Sequence, residues 1–514
     1  MTEHPQRLLQ LTPARYRREG DRTQPYAVVD VGSNSVRLVI YDRLGRAPFP
    51  RFNEKSMCRL GAELLETGRL AEAAIDRAVA ALSRFAAIAK AMRVGRIDVI
   101  ATEAARRAEN GAALIDRIRA ATGMETRILE GREEATFSGL GVISGFYRPT
   151  GLVGDIGGGS LELATVDDDR VGPRTASLPI GALPVCALMR KEGKDAKVTV
   201  DAVLAGAVRA LEPGSTFYAV GGGWRALAAV HMARENAPVR VVHAYTVPCA
   251  SLRALAKEVS RMDPAAIAAL PGAPGARVDT LAASALVLDR MLKVLKPQQV
   301  VFSVFGLREG WLYAQLAEAE RYHDPLLDGA QAFAYDNSRV PEFAAALADW
   351  TAVLFPGETP GERRLRVAAC ALSDIAWRDH RSVKALQTYR RLIEFPLAGV
   401  THRERVFLGA VLFARHGGRC DDPALAPEST LLTPELARRA EVLGRAMRLA
   451  YRYAGCVPEI LATARLRIDA NGVTLETADG AKLPDSEAVQ ARVRLLAKSL
   501  DLPVVEPVAS APVG

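Results

Sequence analysis

Two stretches of the chain share one pattern of apolar and polar positions. In the first, Tyr26-Ala27-Val28-Val29 runs into Asp30-Val31-Gly32-Ser33-Asn34-Ser35 and emerges as Val36-Arg37-Leu38-Val39-Ile40. In the second, Leu152-Val153-Gly154 runs into Asp155-Ile156-Gly157-Gly158-Gly159-Ser160 and emerges as Leu161-Glu162-Leu163-Ala164. Each reads as strand, tight turn, strand. The Asp-x-Gly-x-x-Ser order common to both predicts two like domains that face each other.

The pattern between and beyond the turns supports the duplication. Residues 25–148 predict strands at 26–31, 36–42 and 48–58, then a helix over 71–92 with Ile75, Val79, Leu82, Phe85 and Ala89 at helical spacing. A strand at 97–101, a helix near 112–121, a strand at 126–129 and a helix from Arg132 follow. Residues 149–318 repeat the plan, with strands at 151–155, 160–166, 171–177 and 217–220 and helices near 199–211 and after Gly223. That segment ends in a helix over 277–295, a strand at 299–303 and a helix after Gly306. Strands alternating with helices predict mixed sheets under helical layers. Residues 319–450 are helix-rich, with amphipathic helices over 365–377, 382–393 and 404–414. Residues 451–514 form a small α+β tail whose Asn471-Gly472 marks a hairpin, and Ala509–Gly514 look frayed.

Size and composition narrow the class. A chain of 514 residues exceeds one ordinary core, so several domains are expected. Hydrophobic content of 49% with 25% charged residues is that of a soluble protein. No apolar run is long enough to span a bilayer, and residues 1–24 form a polar extension without a signal-peptide core. Cys58, Cys186, Cys249, Cys370, Cys420 and Cys456 show no metal-ligand spacing, which suits reduced thiols in the cytoplasm. The net charge of +8 favours a polyanionic ligand.

The chemistry concentrates at the two turns. Glycines let backbone N–H groups approach a ligand, and the serines add hydroxyl donors. An Asp at each strand end, Asp30 and Asp155, offers a carboxylate where a hydrated Mg²⁺ can sit against phosphate oxygens. No G-x-x-x-x-G-K-[ST] sequence is present, which disfavours a P-loop NTPase.

The ordered blocks along residues 25–320 resemble the exopolyphosphatase/guanosine pentaphosphate phosphatase family of the actin-like superfamily. They are the turn from Asp30, Arg59-Leu60-Gly61, Thr102 through Asn110, Gly131-Arg132-Glu133-Glu134-Ala135, and the turn from Asp155 to Glu162. Ser177-Leu178-Pro179-Ile180-Gly181, Gly221-Gly222-Gly223-Trp224-Arg225 and Gly306-Leu307-Arg308-Glu309-Gly310 complete the set. The resemblance implies an α/β fold of duplicated actin-like (ribonuclease H-like) domains, an all-α HD-like domain and the α+β tail. It implies Glu134 as the base that activates water, with Glu133 left as a helix-start acid favoured by the macrodipole. Gly32, Ser33, Asn34, Ser35, Gly157, Gly158, Gly159 and Ser160 would bind phosphate oxygens, with Arg106 and, more weakly, Arg59 as guanidinium donors. Asp155, Glu162 and Asp30 would hold Mg²⁺ or its waters.

The implied activity is release of orthophosphate from the end of inorganic polyphosphate, by a cytoplasmic homodimer with no specific nucleic-acid partner. Guanosine pentaphosphate 5′-hydrolysis, a phosphotransferase and a non-catalytic polyphosphate or nucleotide sensor are the alternatives. Trp224 stands where the family usually has a small residue, which argues against a base-bearing substrate unless the indole is core packing. In the helical segment, Leu372-Ser373-Asp374-Ile375 replaces the His-Asp pair of an HD-type site, so no hydrolytic metal is expected there. Arg363, Arg364, Arg366, Arg378, Arg381, Lys384, Arg390 and Arg391 would line a basic face along a polyanion or form a solvated one.

Overall fold

A computed structural model describes residues 24–208, 211, 214–477 and 486–505. The expected polar extension before residue 24 and the frayed end at 509–514 lie outside the described residues. The described chain divides into two compact units, residues 24–325 and residues from 326 on.

The first unit contains two sheets of matching topology. Strands β1 (Tyr26–Val31), β2 (Val36–Tyr41), β3 (Pro50–Ser56), β4 (Arg96–Ala101) and β5 (Thr126–Ile128) lie in the order β3-β2-β1-β4-β5. The second sheet comprises β6 (Thr150–Ile156), β7 (Leu161–Asp167), β8 (Arg170–Leu178), β9 (Thr216–Val220), β10 (Thr246–Pro248) and β11 (Gln299–Phe302), in the order β10-β11-β9-β6-β7-β8. In each, an antiparallel meander (β1 to β3, β6 to β8) is joined by a parallel strand (β4, β9) beside its first member. The registers also match, with Asp30 opposite Arg37 and Asp155 opposite Glu162. β10 is an addition without a counterpart in the first sheet. It is too short to show an alternation, and the sequence reading does not include it.

Two helices are exchanged between the lobes. The Gly131–Gly145 helix follows the first sheet but packs on the second, where Val142 and Ile143 meet Val153, Tyr218 and Val220. The Leu307–Gln315 helix follows the second sheet and buries Trp311 and Leu312 against Tyr26, Val28 and Val39 of the first. The helices cross with almost no space between their backbones. A Cβ on Gly141 would overlap the Gly306 carbonyl, and one on Gly310 would overlap that of Phe137. This crossing ties the lobes together at the base of the space between their turns.

The expected strands and helices of this unit appear within a few residues of their predicted ends. The Ala182–Glu192 and Cys249–Val259 helices are additional. The first buries only Val185 completely, so its apolar periodicity is weak.

In the second unit, the His402–Arg415 helix runs through the centre, with Leu408, Val411 and Leu412 packed against Leu443 and Met447. The Lys384–Glu394 and His402–Arg415 helices agree with the predicted ones, whereas the helix expected over 365–377 runs over Pro360–Ala371 and gives way to a 3-10 turn at Leu372–Asp374. Those at Pro325–Asn337, Phe343–Thr351, Pro434–Ala454 and Glu487–Leu500 are further elements. The hairpin of β12 (Ala464–Asp469) and β13 (Gly472–Thr477) forms as Asn-Gly predicts. It shares one core with the long Pro434–Ala454 helix through Leu466, Val473, Leu475, Ala446 and Leu449.

The predicted basic face is only partly a surface. Arg364 is fully buried and donates to the Gly399 carbonyl, while Arg366 is buried on Glu358 and the Ala348 carbonyl. Arg363, Arg378, Arg381, Arg390 and Arg391 remain exposed. Asp374 receives two bonds from the Arg339 guanidinium, and Ser373 bonds the Cys370 carbonyl and the Tyr451 hydroxyl. No helix among the described residues is long and apolar enough to cross a membrane.

Candidate active site

The two glycine turns lie against one another. A Cβ on Gly158 would sit 3.0 Å from that of Ser33 and 3.7 Å from the Asn34 nitrogen. Each turn is closed in the same way, by a bond from the Gly32 N–H to the Ser35 carbonyl (3.1 Å) and from the Gly157 N–H to the Ser160 carbonyl (2.9 Å). Outer segments latch them: Arg59 and Gly61 donate to Asn34 and Ser33, and Ala182 and Leu183 donate to Gly157 and Gly158. Among the described residues, the N–H groups of Ser33, Asn34, Gly158 and Gly159 are not spent on any backbone carbonyl. They are donors available to an oxyanion.

The turns form part of a cleft of about 200 Å³ that contains Gly32, Ser33, Asn34, Ser35, Gly157, Gly158, Gly159 and Ser160 together with Asp30, Glu134, Asp155 and Glu162. Glu134 and Ser138, one turn apart on the Gly131–Gly145 helix, both point into it. Ser138 Oγ donates to Asp155 Oδ2 at 2.7 Å, and Ser177 Oγ donates to Glu162 Oε1 at 3.0 Å. Arg106 lies outside the lining, and its Nη1 donates to Glu134 Oε1 at 2.5 Å and to the Leu129 carbonyl. The guanidinium expected on phosphate therefore holds the carboxylate instead. Arg59 does not contribute a side chain either: it is exposed, at φ 54°, and serves through its backbone. Glu133 accepts the Glu130 N–H at 2.9 Å, closing the start of the helix.

Burial shapes the electrostatics. Glu134 is 6% exposed, and burial pushes its carboxyl up to about 7 despite Arg106, with Asp30 and Asp155 adding repulsion. Glu162 is raised well above the usual carboxylate range by burial and by Glu134. Burial also raises Asp155 and Asp30, the latter opposed by Arg308, whose Nη1 lies 3.3 Å from Asp30 Oδ2.

Facing these acids are Arg37, Lys55, Arg225, Arg277 and Arg308. Lys55 falls to about 8, first through partial burial and then through repulsion from Arg277, Arg37, Arg225 and Arg308. Arg225 falls to about 10, mainly through burial. Arg277 is lowered by burial alone and lies so close over Gly222 that a Cβ there would overlap its guanidinium.

Sequence reasoning assigned none of these cations a role. Arg225 and Arg308 stand inside the quoted blocks, and Arg37 faces Asp30 in the register, which was a usable signal. Glu103 was also unassigned. It is buried in the cleft, accepting Ser33 Oγ at 3.1 Å and Arg107 Nη1 at 2.7 Å.

Trp224 is core packing. It is fully buried, edge-on to Phe217, with Nε1 donating to the Ser284 carbonyl at 2.9 Å. The argument it offered against a base-bearing substrate falls away.

Residues 39–319 match the model of the Ppx/GppA phosphatase family. The chain belongs to that family. Residues 326–501 match a second model, described as exopolyphosphatase, C-terminal. Among family members, Exopolyphosphatase 1 of Mycobacterium tuberculosis is 32% identical over 304 residues, which cover 56% of this chain and 87% of the relative. Exopolyphosphatase 2 of the same organism is 29% identical over 289 residues, covering 52% and 90%. Retrograde regulation protein 2 of Saccharomyces cerevisiae is 25% identical over 438 residues, covering 76% and 72%.

The crystal structure of an exopolyphosphatase from Cytophaga hutchinsonii superposes with a TM-score of 0.51 at 24% identity, over 57% of this chain and 97% of that one. The likeness concerns the fold, and the paired sheets are those of the actin-like family members. As a member of this phosphatase family, the protein is an enzyme.

Proposed function

We propose that the protein is an exopolyphosphatase that hydrolyses the terminal phosphoanhydride of inorganic polyphosphate, with Glu134 as the base. The observation that carries this reading is the make-up of the cleft. A buried carboxylate stands beside two facing oxyanion turns, and five cations line the same cleft. Phosphoanhydride hydrolysis needs little covalent help, so positioning water and balancing charge dominate. Glu134 in its ionised form orients a water and takes its proton. The water oxygen bonds to the terminal phosphorus, the bridging P–O bond breaks, and orthophosphate leaves. Arg106 occupies Oε1 of Glu134, which leaves Oε2 to the water. A base with a pKa near neutrality matches that task.

Five clustered cations suit a chain of phosphates. Arg277 lies over the Gly221-Gly222-Gly223 turn and adds its guanidinium to the set. This favours polyphosphate over guanosine pentaphosphate.

The carboxylates fit a divalent ion of the Mg²⁺ kind. Asp155 and Glu162 would hold it, and Asp30 is already shared with Arg308. Burial and mutual repulsion disfavour their ionisation, a penalty that a bound cation offsets. Among the described residues no group of three or more metal-binding side chains forms a site. Mg²⁺ keeps several waters and binds through one or two carboxylates and substrate phosphates, a role two carboxylates can fill. When bound, it would neutralise phosphate charge.

The test is phosphate release from long polyphosphate and from guanosine pentaphosphate, side by side, with Mg²⁺ and with chelator. Polyphosphate should be the better substrate by kcat/KM, and chelation should stop release. Glu134→Gln should lower kcat about 10²- to 10⁴-fold while polyphosphate binding stays within about twofold. Full turnover by that variant, or preference for the pentaphosphate, would overturn the reading.

A further inference from the structure

The second unit has a concavity that the catalytic chemistry does not use. It lies between the end of the His402–Arg415 helix, the long Pro434–Ala454 helix and the Glu487–Leu500 helix, and Arg445, Arg448 and Arg492 line it. All three side chains are partly buried. Arg445 is balanced by Glu441 one helical turn away, with Nε to Oε1 at 2.9 Å. Arg448 and Arg492 have neither a hydrogen bond nor an ion pair among the described residues.

The charge nearest Arg448 is mainly positive. Arg492, Arg415, Arg381 and Arg445 all repel its guanidinium, and together with burial, the largest effect, they lower it to about 10. Converging cations of which only Arg445 has a carboxylate beside it are costly to hold together.

The backbone is shaped to the guanidinium. Gly417 has φ 102°, and a Cβ there would overlap the Arg448 guanidinium. The N–H groups of Gly417 and Gly418 are spent on the Ala414 and Phe413 carbonyls, so the guanidinia are the donors on offer. The adjoining His416 is held neutral, its pKa driven down to about 2 by burial and by Arg415, Lys384 and Arg448. Its buried Nε2 has no partner.

We propose that Arg445, Arg448 and Arg492 form a binding site for one phosphoryl dianion, separate from the catalytic cleft. Guanidinium forks match the oxygens of a phosphoryl group and hold it by charge-assisted bonds. The concavity, about 20 Å³, is little larger than a water site, so the phosphoryl group would rest across its mouth with its oxygens toward the guanidinia. The group arrives either as free orthophosphate or as the end of a phosphomonoester.

Calorimetric titration of the full chain with inorganic phosphate tests this, using R448A/R492A, R448K/R492K and, in the cleft, R277A. R448A/R492A should remove one equivalent of bound phosphate or weaken it at least tenfold, with the initial rate of phosphate release within twofold of the parent. R277A should keep that equivalent. The lysine pair, which keeps the charge, should retain part of it, and this arm decides the matter if the alanine pair unfolds. Displacement by adenosine monophosphate would identify a phosphomonoester end, and its failure would leave free orthophosphate as the ligand. Equal phosphate binding by the parent and R448A/R492A, or loss of all binding in R277A, would overturn the proposal.

Discussion

Arg37 and Glu162 hold the same position in the two lobes, each opposite the Asp that precedes its turn. The duplicated hairpin therefore presents a guanidinium from one lobe and a carboxylate from the other at the same register position. Glu134 lies near the carboxylates Asp30 and Asp155, and Arg106 supports its ionised form. Replacing Arg106 by Gln removes that support, so the Glu134 pKa rises above about 7. Because the base acts only when ionised, the acid limb of the kcat/KM–pH profile should move to higher pH. A profile that keeps its midpoint would deny Arg106 this positioning role.

Stability follows the same group. Glu134 titrates at 4.5 when unperturbed and near 7 in the folded protein. Between these values the folded state keeps a proton that the unfolded chain has released, so this group lowers stability as pH rises. Glu134→Gln should flatten that part of the pH–stability curve measured in chelator. From sequence alone Glu134 was legible only through the ordered blocks around it, since an acid in a helix's first turn is ordinary. Arg277 and Lys55 were not legible at all. They come from separate elements, and only the folded chain brings them together.

The exchanged helices set the geometry at the next scale. One carries Glu134 and Ser138, the other Arg308, and Gly141 and Gly310 allow their backbones to touch. Gly310→Ala should therefore force the crossing apart. Such overpacking costs about 1–3 kcal/mol or more, because the obstacle is backbone and cannot rotate away. Thermal melts should show the loss, and kcat should fall further than stability alone explains, since Glu134 and Arg308 then separate. Unchanged melting and unchanged kcat would mean the crossing is looser than it looks.

Element by element, the strands at the turns were legible because apolar runs and glycines mark them sharply. The Pro434–Ala454 helix was missed although Thr433 and Pro434 form a start signal, with the Thr433 side chain accepting the Leu436 N–H. Its buried face, with Leu443, Met447 and Ala450 at helical spacing, was a second usable signal. The contact between the two exchanged helices had no sequence signal beyond two glycines, and each of those reads equally well as a helix interruption.

At the scale of the molecule, the two units have separate cores. The clusters built on Phe217, Phe85, Val142 and Trp311 belong wholly to residues 24–325, and those built on Leu408 and Leu466 to residues from 326 on. The duplicated plan of the first unit was legible because the same turn occurs twice, whereas the helical unit offered no repeated mark. Every cleft residue named above lies in the first unit, and the Mycobacterium tuberculosis relatives match 52–56% of this chain with 87–90% of their own length. A chain ended after Pro325 should therefore fold on its own, melt cooperatively and release phosphate in a Glu134-dependent way. Its kcat on short polyphosphate should stay within about tenfold of the full chain, because the base, its water and both oxyanion turns are all retained. Lost cooperativity, or kcat reduced to the level of Glu134→Gln in a folded truncation, would show that the second unit takes part in building the catalytic cleft.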